Sequence, residues 1–220
     1  MKRRTFSATL LACGVGGSPL VHAEAQAQAA GTPVEGTHFV RLAQPAPVPA
    51  GGKIEVIEFF WYGSPHCNSF EPALEAWVRK LPGDVAFRRI PMALRDQPPY
   101  LVHQRIFYTL EAMGLLDSLH RKVFYAIHND RLPLDKPADI GAFMAKNGVD
   151  AAKFLEVFNS PAVVSGRVPD GNRLVAAYKI DGVPALGVQR RFYTSRSLAG
   201  SDERALAVAE HLVQRVRKGA

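Results

Sequence analysis

Two periodicities of apolar residues alternate along this chain. Lys53–Phe60 (KIEVIEFF) is an almost unbroken apolar, β-branched and aromatic run just after two glycines, the pattern of a strand buried on both faces. Gly63-Ser64-Pro65 interrupts it. Asn68–Leu81 then places Phe70, Leu74, Trp77, Val78 and Leu81 on one face, which predicts a helix. Val85–Pro91 (VAFRRIP) predicts a second strand and completes a β-α-β unit. Helical spacing follows in Tyr100–Met113, Leu115–Asn129, Lys136–Asn147 and Ala151–Phe158, separated by Gly114, the Arg131–Pro133 turn and Gly148. Pro161 and Pro169 interrupt a stretch otherwise expected to be helical, because proline removes a helix hydrogen bond. Asn172–Lys179 predicts a further helix. Ala185–Gln189 and Arg191–Thr194 predict a hairpin, with Arg190 where the turn would prefer glycine. Asp202–Arg217 is an amphipathic terminal helix. Upstream, the Ala-, Gln-, Pro- and Gly-rich stretch reads as a linker with one short strand at Thr37–Leu42.

The order is therefore β-α-β, a helical block, then β-β-α, without internal repeats. With 47% hydrophobic and 21% charged residues in 220, the chain can bury a real core, which excludes a disordered protein or a disulfide-dense miniprotein.

The first residues read as a targeting segment. Lys2, Arg3 and Arg4 form a basic start, an apolar stretch runs from Phe6 to about Val15, and small residues offer cleavage after Ala23, Ala25 or Ala27. Arg3-Arg4-Thr5-Phe6 resembles a twin-arginine signal, although an ordinary secretory signal is the simpler reading. Leu10-Leu11-Ala12-Cys13 only faintly resembles a lipoprotein box. Removing residues 1–27, with their three basic residues and Glu24, takes the net charge from +7 to about +5. Such a charge favours solubility and does not indicate nucleic-acid binding. The chain holds two cysteines, Cys13 and Cys67, so a processed chain keeps one and has no intramolecular disulfide.

The candidate chemistry lies at the strand-to-helix turn, Glu58-Phe59-Phe60-Trp61-Tyr62-Gly63-Ser64-Pro65-His66-Cys67. This is a C-x-x-C spacing with serine in the first position. A cysteine at a helix start is held as thiolate by unpaired backbone N–H groups and the helix dipole, and a second cysteine resolves its disulfide. Here the second position alone keeps its sulfur. Read without context, Ser64 and Pro65 are simply a good N-cap and first helical residue. Cys67 alone could be a small buried apolar residue. His66 has no further Cys or His at ligand spacing, so no metal site is expected. Glu58 in an apolar strand suggests function, because a buried unpaired carboxylate is costly. Part of the Phe59–Tyr62 aromatic run is expected to flank the site as an apolar substrate surface. The Arg88-Arg89 and Arg190-Arg191 pairs read as solvated faces.

The chain resembles the DsbA family of bacterial periplasmic thiol–disulfide oxidoreductases over about Thr37–Lys218. The resemblance rests on Glu58–Phe70 (EFFWYGSPHCNSF), Phe154–Asn159 (FLEVFN), Tyr178–Leu186 (YKIDGVPAL) and Phe192–Ser195 (FYTS). It implies an α/β thioredoxin fold with an inserted all-helical domain. The expected boundaries are a signal peptide at 1–27 and a linker at 28–52. A thioredoxin-like domain made of 53–97 and 177–220 would enclose a helical insertion at 98–176. It further implies that Ser64 stands at the nucleophilic cysteine's position, that Pro65 and His66 are the intervening pair, and that Cys67 is the second, more buried cysteine. Glu58 would be the buried acid beneath the site. Val183 and Pro184 would be the cis-proline loop whose backbone pairs with substrate peptide. No cofactor is implied. The implied partners are unfolded or reduced exported proteins and a membrane oxidase of the DsbB type, with a periplasmic monomer expected. Serine has no useful acidity and forms no disulfide, so the dithiol cycle is expected to be disabled. The serine fits either a substitution made to trap substrates or a natural paralogue released from oxidase duty. Three functions follow: a DsbA-like oxidoreductase, inactivated or working through one thiol; a non-redox periplasmic peptide binder or chaperone; and a kappa-class-like glutathione enzyme in which Ser64 orients the thiol.

Overall fold

A computed structural model describes residues 31–45, 47–48 and 52–219. The expected signal segment at 1–27, with Cys13, lies outside the described residues.

The elements follow the order β1 (Val40–Arg41), β2 (Ile54–Phe60), α1 (Pro65–Val78), β3 (Val85–Pro91), α2 (Tyr100–Ala112), α3 (Leu116–His128), α4 (Pro137–Lys146), α5 (Ala151–Asn159), α6 (Pro161–Val164), α7 (Arg167–Tyr178), β4 (Ala185–Val188), β5 (Phe192–Ser195), α8 (Arg196–Ala199) and α9 (Asp202–Arg217). The five strands form one mixed sheet in the order β1-β5-β4-β2-β3. β2 and β3 are parallel, which requires the crossover that α1 supplies; β2–β4, β4–β5 and β1–β5 are antiparallel.

Every residue of β2 is buried, as its unbroken apolar run predicts for a strand covered on both faces. Its alternating side chains feed different cores. Val56 packs with Phe70 and Leu74 of α1 and Leu212 and Val213 of α9, whereas Ile57 and Phe59 pack with Leu174 and Tyr178 of α7. Phe60 leaves the sheet toward the helices, joining Tyr62, Cys67, Phe107 and Phe124 in a third cluster. The strand end that leads into the candidate site is thus anchored in the helical block.

Pro161 and Pro169 fall where a helix tolerates a proline. Pro161 opens α6 and Pro169 lies in the first turn of α7, whose N–H groups have no intrahelical acceptor. That placement lets α7 begin at Arg167, earlier than the Asn172 expected from spacing. In the hairpin, Gln189 (φ 50°) and Arg190 (φ 51°) both adopt the left-handed conformation of a I′ turn. Side-chain anchoring replaces the missing glycine. Arg190 Nε donates to Glu55 Oε2 at 2.8 Å, and the Glu55 N–H donates to Gln189 Oε1 at 2.7 Å. Arg190 is therefore an anchor and not a solvated face.

Gly187 in β4 is required by close approach. A Cβ there would lie 2.6 Å from Tyr178 Cζ and 2.9 Å from its hydroxyl. The Tyr178 ring is fully buried and packed edge-on against Phe59 with centroids 5.2 Å apart, so it has little room to give. Gly187→Ala is expected to lower unfolding free energy by ~1–3 kcal/mol in urea denaturation, the usual cost of overpacking a core.

Candidate active site

α1 starts immediately after the turn that ends β2. Ser64 is its N-cap (φ −82°, ψ 118°) and Pro65 its first residue; the Ser64 Oγ accepts the Cys67 N–H at 3.2 Å. The capping preference that the bare sequence suggests is thus realised. It also brings the helix start to Pro65, earlier than the apolar spacing from Asn68 indicates. Gly63 lies against the Trp61 indole, which folds back over the turn: a Cβ on Gly63 would be 2.3 Å from Trp61 Cζ2. Trp61 stacks in turn on Tyr100 of α2, with centroids 4.4 Å apart.

Of the four residues 64–67, Pro65 and His66 are exposed while Ser64 and Cys67 are buried. Cys67 has 0% exposure and packs among the helical block's core residues. Burial pushes its thiol up to about 12, with the Glu58 carboxyl acting in the same direction and the Ser64 hydroxyl against it. At neutral pH it is a thiol.

The Val183–Pro184 bond is cis, and this loop forms one wall of a groove of about 430 Å³. His66, Asp181, Tyr193, Ser195 and Arg196 line it as well. The structure therefore brings His66 together with Val183 and Pro184 at one surface. Phe59, Phe60 and Tyr62 are fully buried, so of the aromatic run only Trp61 is partly exposed.

Glu58 is fully buried beneath the turn, in register with Arg89 on β3. Arg89 Nε donates to Glu58 Oε2 at 2.9 Å and Arg89 Nη2 to Glu71 Oε2 at 3.0 Å. The second Glu71 oxygen lies 3.1 Å from His120 Nε2, and His120 Nδ1 is 2.8 Å from the Tyr62 hydroxyl. Glu71, His120 and Tyr62 are all buried. Burial, with Glu71 adding to it, holds the Glu58 carboxyl well above its ordinary value. Burial also acts to raise Glu71, but His120 and Arg89 outweigh it and hold that carboxyl below its ordinary value.

Sequence reasoning places Glu58 and misses its partners. Arg89 is not a solvated face, since its side chain is 20% exposed and it bridges two buried carboxylates. Glu71 reads as one more polar position of an amphipathic helix. The available signal was that its i, i+3 neighbour on that helix is Leu74, within the apolar stripe. Among the described residues, no group of three or more His, Cys, Asp or Glu is placed to hold a metal ion.

Comparison with known proteins agrees with this architecture. Residues 89–207 match the family model of the DSBA-like thioredoxin domain. The thiol:disulfide interchange protein DsbA of Pseudomonas aeruginosa is 40% identical over 185 residues, covering 84% of this chain and 86% of that protein. The protein of the same name from Burkholderia cepacia is 38% identical over 216 residues, 98% of each chain. The crystal structure of Pseudomonas aeruginosa DsbA superposes with a TM-score of 0.79 at 39% identity, covering 84% of this chain and 95% of that one. With its thioredoxin fold, its helices set between β3 and β4 and these relatives, the chain belongs to the DsbA family of thiol:disulfide oxidoreductases.

Proposed function

We propose that this protein is an exported, periplasmic DsbA-type oxidoreductase in which serine replaces the attacking cysteine, so that its dithiol cycle is disabled. The observation that carries this reading is the pairing of Ser64 and Cys67. The oxygen of Ser64 occupies the helix N-cap, where a sulfur would be activated, and the remaining sulfur is sealed in the core. A hydroxyl forms no disulfide and is not ionised at neutral pH, so neither half of the exchange is available. The groove walled by Val183-Pro184 remains and would receive the backbone of unfolded or reduced exported proteins. A membrane oxidase of the DsbB type would find no electron pair to collect from the chain as it stands. In this reading the helical segment 98–176 is an insertion between 53–97 and 177–220, with α7 continuing as far as Tyr178.

Burial of Cys67 separates this reading from single-thiol chemistry. Intact-mass spectrometry after incubation with oxidised glutathione at pH 8 is expected to show no adduct on the native protein. The buried thiol, held at about 12, has almost no thiolate at that pH, whereas after denaturation it is exposed and one glutathione should be added per Cys67. A native adduct would replace this reading with a single-thiol enzyme.

A further inference from the structure

The two buried carboxyls beneath the turn share one guanidinium. Glu58 and Glu71 each have 0% exposure and each takes one hydrogen bond from Arg89, at 2.9 and 3.0 Å. Were both ionised, the cluster would hold an uncompensated negative charge away from water, so one of them carries a proton. Arg89 alone does not choose between them. His120 does.

The choice follows from the hydrogen-bond directions. The Tyr62 hydroxyl is fully buried with His120 Nδ1 at 2.8 Å, and burial holds it as a phenol. Nδ1 is the hydroxyl's one side-chain partner among the described residues, and Nε2 faces the acceptor Glu71 Oε1 at 3.1 Å, so the hydroxyl donates to Nδ1 and the His120 proton sits on Nε2. Burial keeps this imidazole neutral. Both oxygens of Glu71 thus receive donors, Arg89 on one and His120 on the other. Glu58 Oε1 has no partner. A proton on that atom turns an unmatched acceptor into a donor, and burial together with the Glu71 charge favours keeping it on Glu58.

We propose that His120, oriented by Tyr62, is the positioning residue that holds Glu71 ionised and so keeps the shared proton on Glu58, directly beneath the active-site turn. The charged groups facing the pair are Arg89 from β3 and Glu75 from α1, near His120; Cys67 above is a neutral thiol. Arg89 and His120 also line a groove of about 410 Å³ between α1 and α3, which gives the cluster an outlet to solvent away from the Val183-Pro184 groove. The arrangement does not depend on whether residue 64 is serine or cysteine. Its effect is to keep a neutral acid, and not a fixed negative charge, below the turn.

The test is carboxyl NMR of the full chain labelled with 13C at the glutamate side chains. Glu58→Gln and Glu71→Gln assign the two buried signals. In the unaltered protein at pH 7, the signal removed by Glu58→Gln is expected at the protonated position and that removed by Glu71→Gln at the ionised position. His120→Phe, which suits the surrounding rings of Phe60, Phe107 and Phe124, is expected to shift the proton toward Glu71. Their occupancy ratio should change by roughly tenfold or more, the effect of losing one charge-assisted hydrogen bond. Tyr62→Phe, which frees the imidazole to place its proton on Nδ1, should shift it the same way by less. His120→Asn, which retains an N–H donor, should restore the original order. If His120→Phe is folded by circular dichroism and the occupancy ratio is unchanged, the proposal is wrong. If it does not fold, Tyr62→Phe decides on the same criterion.

Discussion

Ser64→Cys is expected to convert this protein into a working dithiol oxidase. The introduced sulfur would occupy the N-cap of α1, where the Ser64 oxygen accepts the Cys67 N–H at 3.2 Å. That N–H and the partial positive charge of the helix start would stabilise a thiolate. An unperturbed cysteine, with a pKa of ~8.5, is only a few per cent ionised at pH 7. A shift of one or two units at a helix N-terminus raises the thiolate fraction by roughly tenfold. Cys67 lies one helical turn on, with its backbone N–H already directed at the introduced atom, which places the second sulfur at C-x-x-C spacing. With oxidised glutathione as the oxidant, the new thiolate would form a mixed disulfide and release one glutathione. The Cys67 thiol would then lose its proton, attack that bond and release the second, leaving the intramolecular disulfide. Mass spectrometry should show the loss of two hydrogens from the variant and none from the unaltered chain. A reduced test protein should regain activity with the oxidised variant at a rate at least ~10-fold above that with the serine protein. A variant that forms no bond, or forms one and oxidises nothing, would show that residue 64 does not occupy the attacking position.

The parts of this fold that can be read from the chain are those where burial alone sets the pattern. β2 has no polar face to blur its run, and α9 matches its predicted limits at Asp202 and Arg217 because Ser201 caps it and its stripe is continuous. The start of α1 is harder to read. Its first turn is fixed by the Ser64 cap and Pro65 and not by apolar spacing, so periodicity alone begins the helix too late. α7 has the same history, with Pro169 in a first turn that is legible only once the helix start is known. At the site, Glu58 announces itself as an acid in an apolar strand. Arg89 does not, because its neighbour Arg88 faces solvent and an Arg-Arg pair has no intrinsic side. Its inward role follows from the parallel register that sets Arg89 beside Glu58, and register is a property of the sheet. His120 belongs to a helix distant in sequence, and no local spacing links it to Glu71. The chain therefore reveals that a buried charge exists, and the fold supplies its partners.

Arg89→Met should carry the largest stability cost of any single change in the described structure outside the hydrophobic core. The side chain is 20% exposed and holds Glu58 at 2.9 Å and Glu71 at 3.0 Å, both fully buried. Methionine fills much of the same volume but leaves two carboxyls without a cation, and breaking a buried ion pair in this way costs about 3–5 kcal/mol. The loss should depend on pH in a definite direction. Glu71 lies below its ordinary 4.5 in the folded protein, so it contributes stability that is present above 4.5 and lost as pH falls through its folded value. Glu58 lies above 4.5, so it costs stability as pH rises from 4.5 toward its folded value. Without Arg89, Glu71 keeps only its His120 donor, so its carboxyl rises and its stabilising contribution shrinks, while Glu58 rises further. The deficit of the variant therefore grows as pH rises above 4.5. Urea unfolding at pH 4 and pH 7 should therefore give a small difference from the unaltered protein at the lower pH and most of the loss at the higher. Adding Glu71→Gln to Arg89→Met should recover part of the deficit at pH 7, because an amide carries no charge to strand. A deficit equal at the two pH values would mean that the cost is one of packing, and that Arg89 does not compensate the carboxyls.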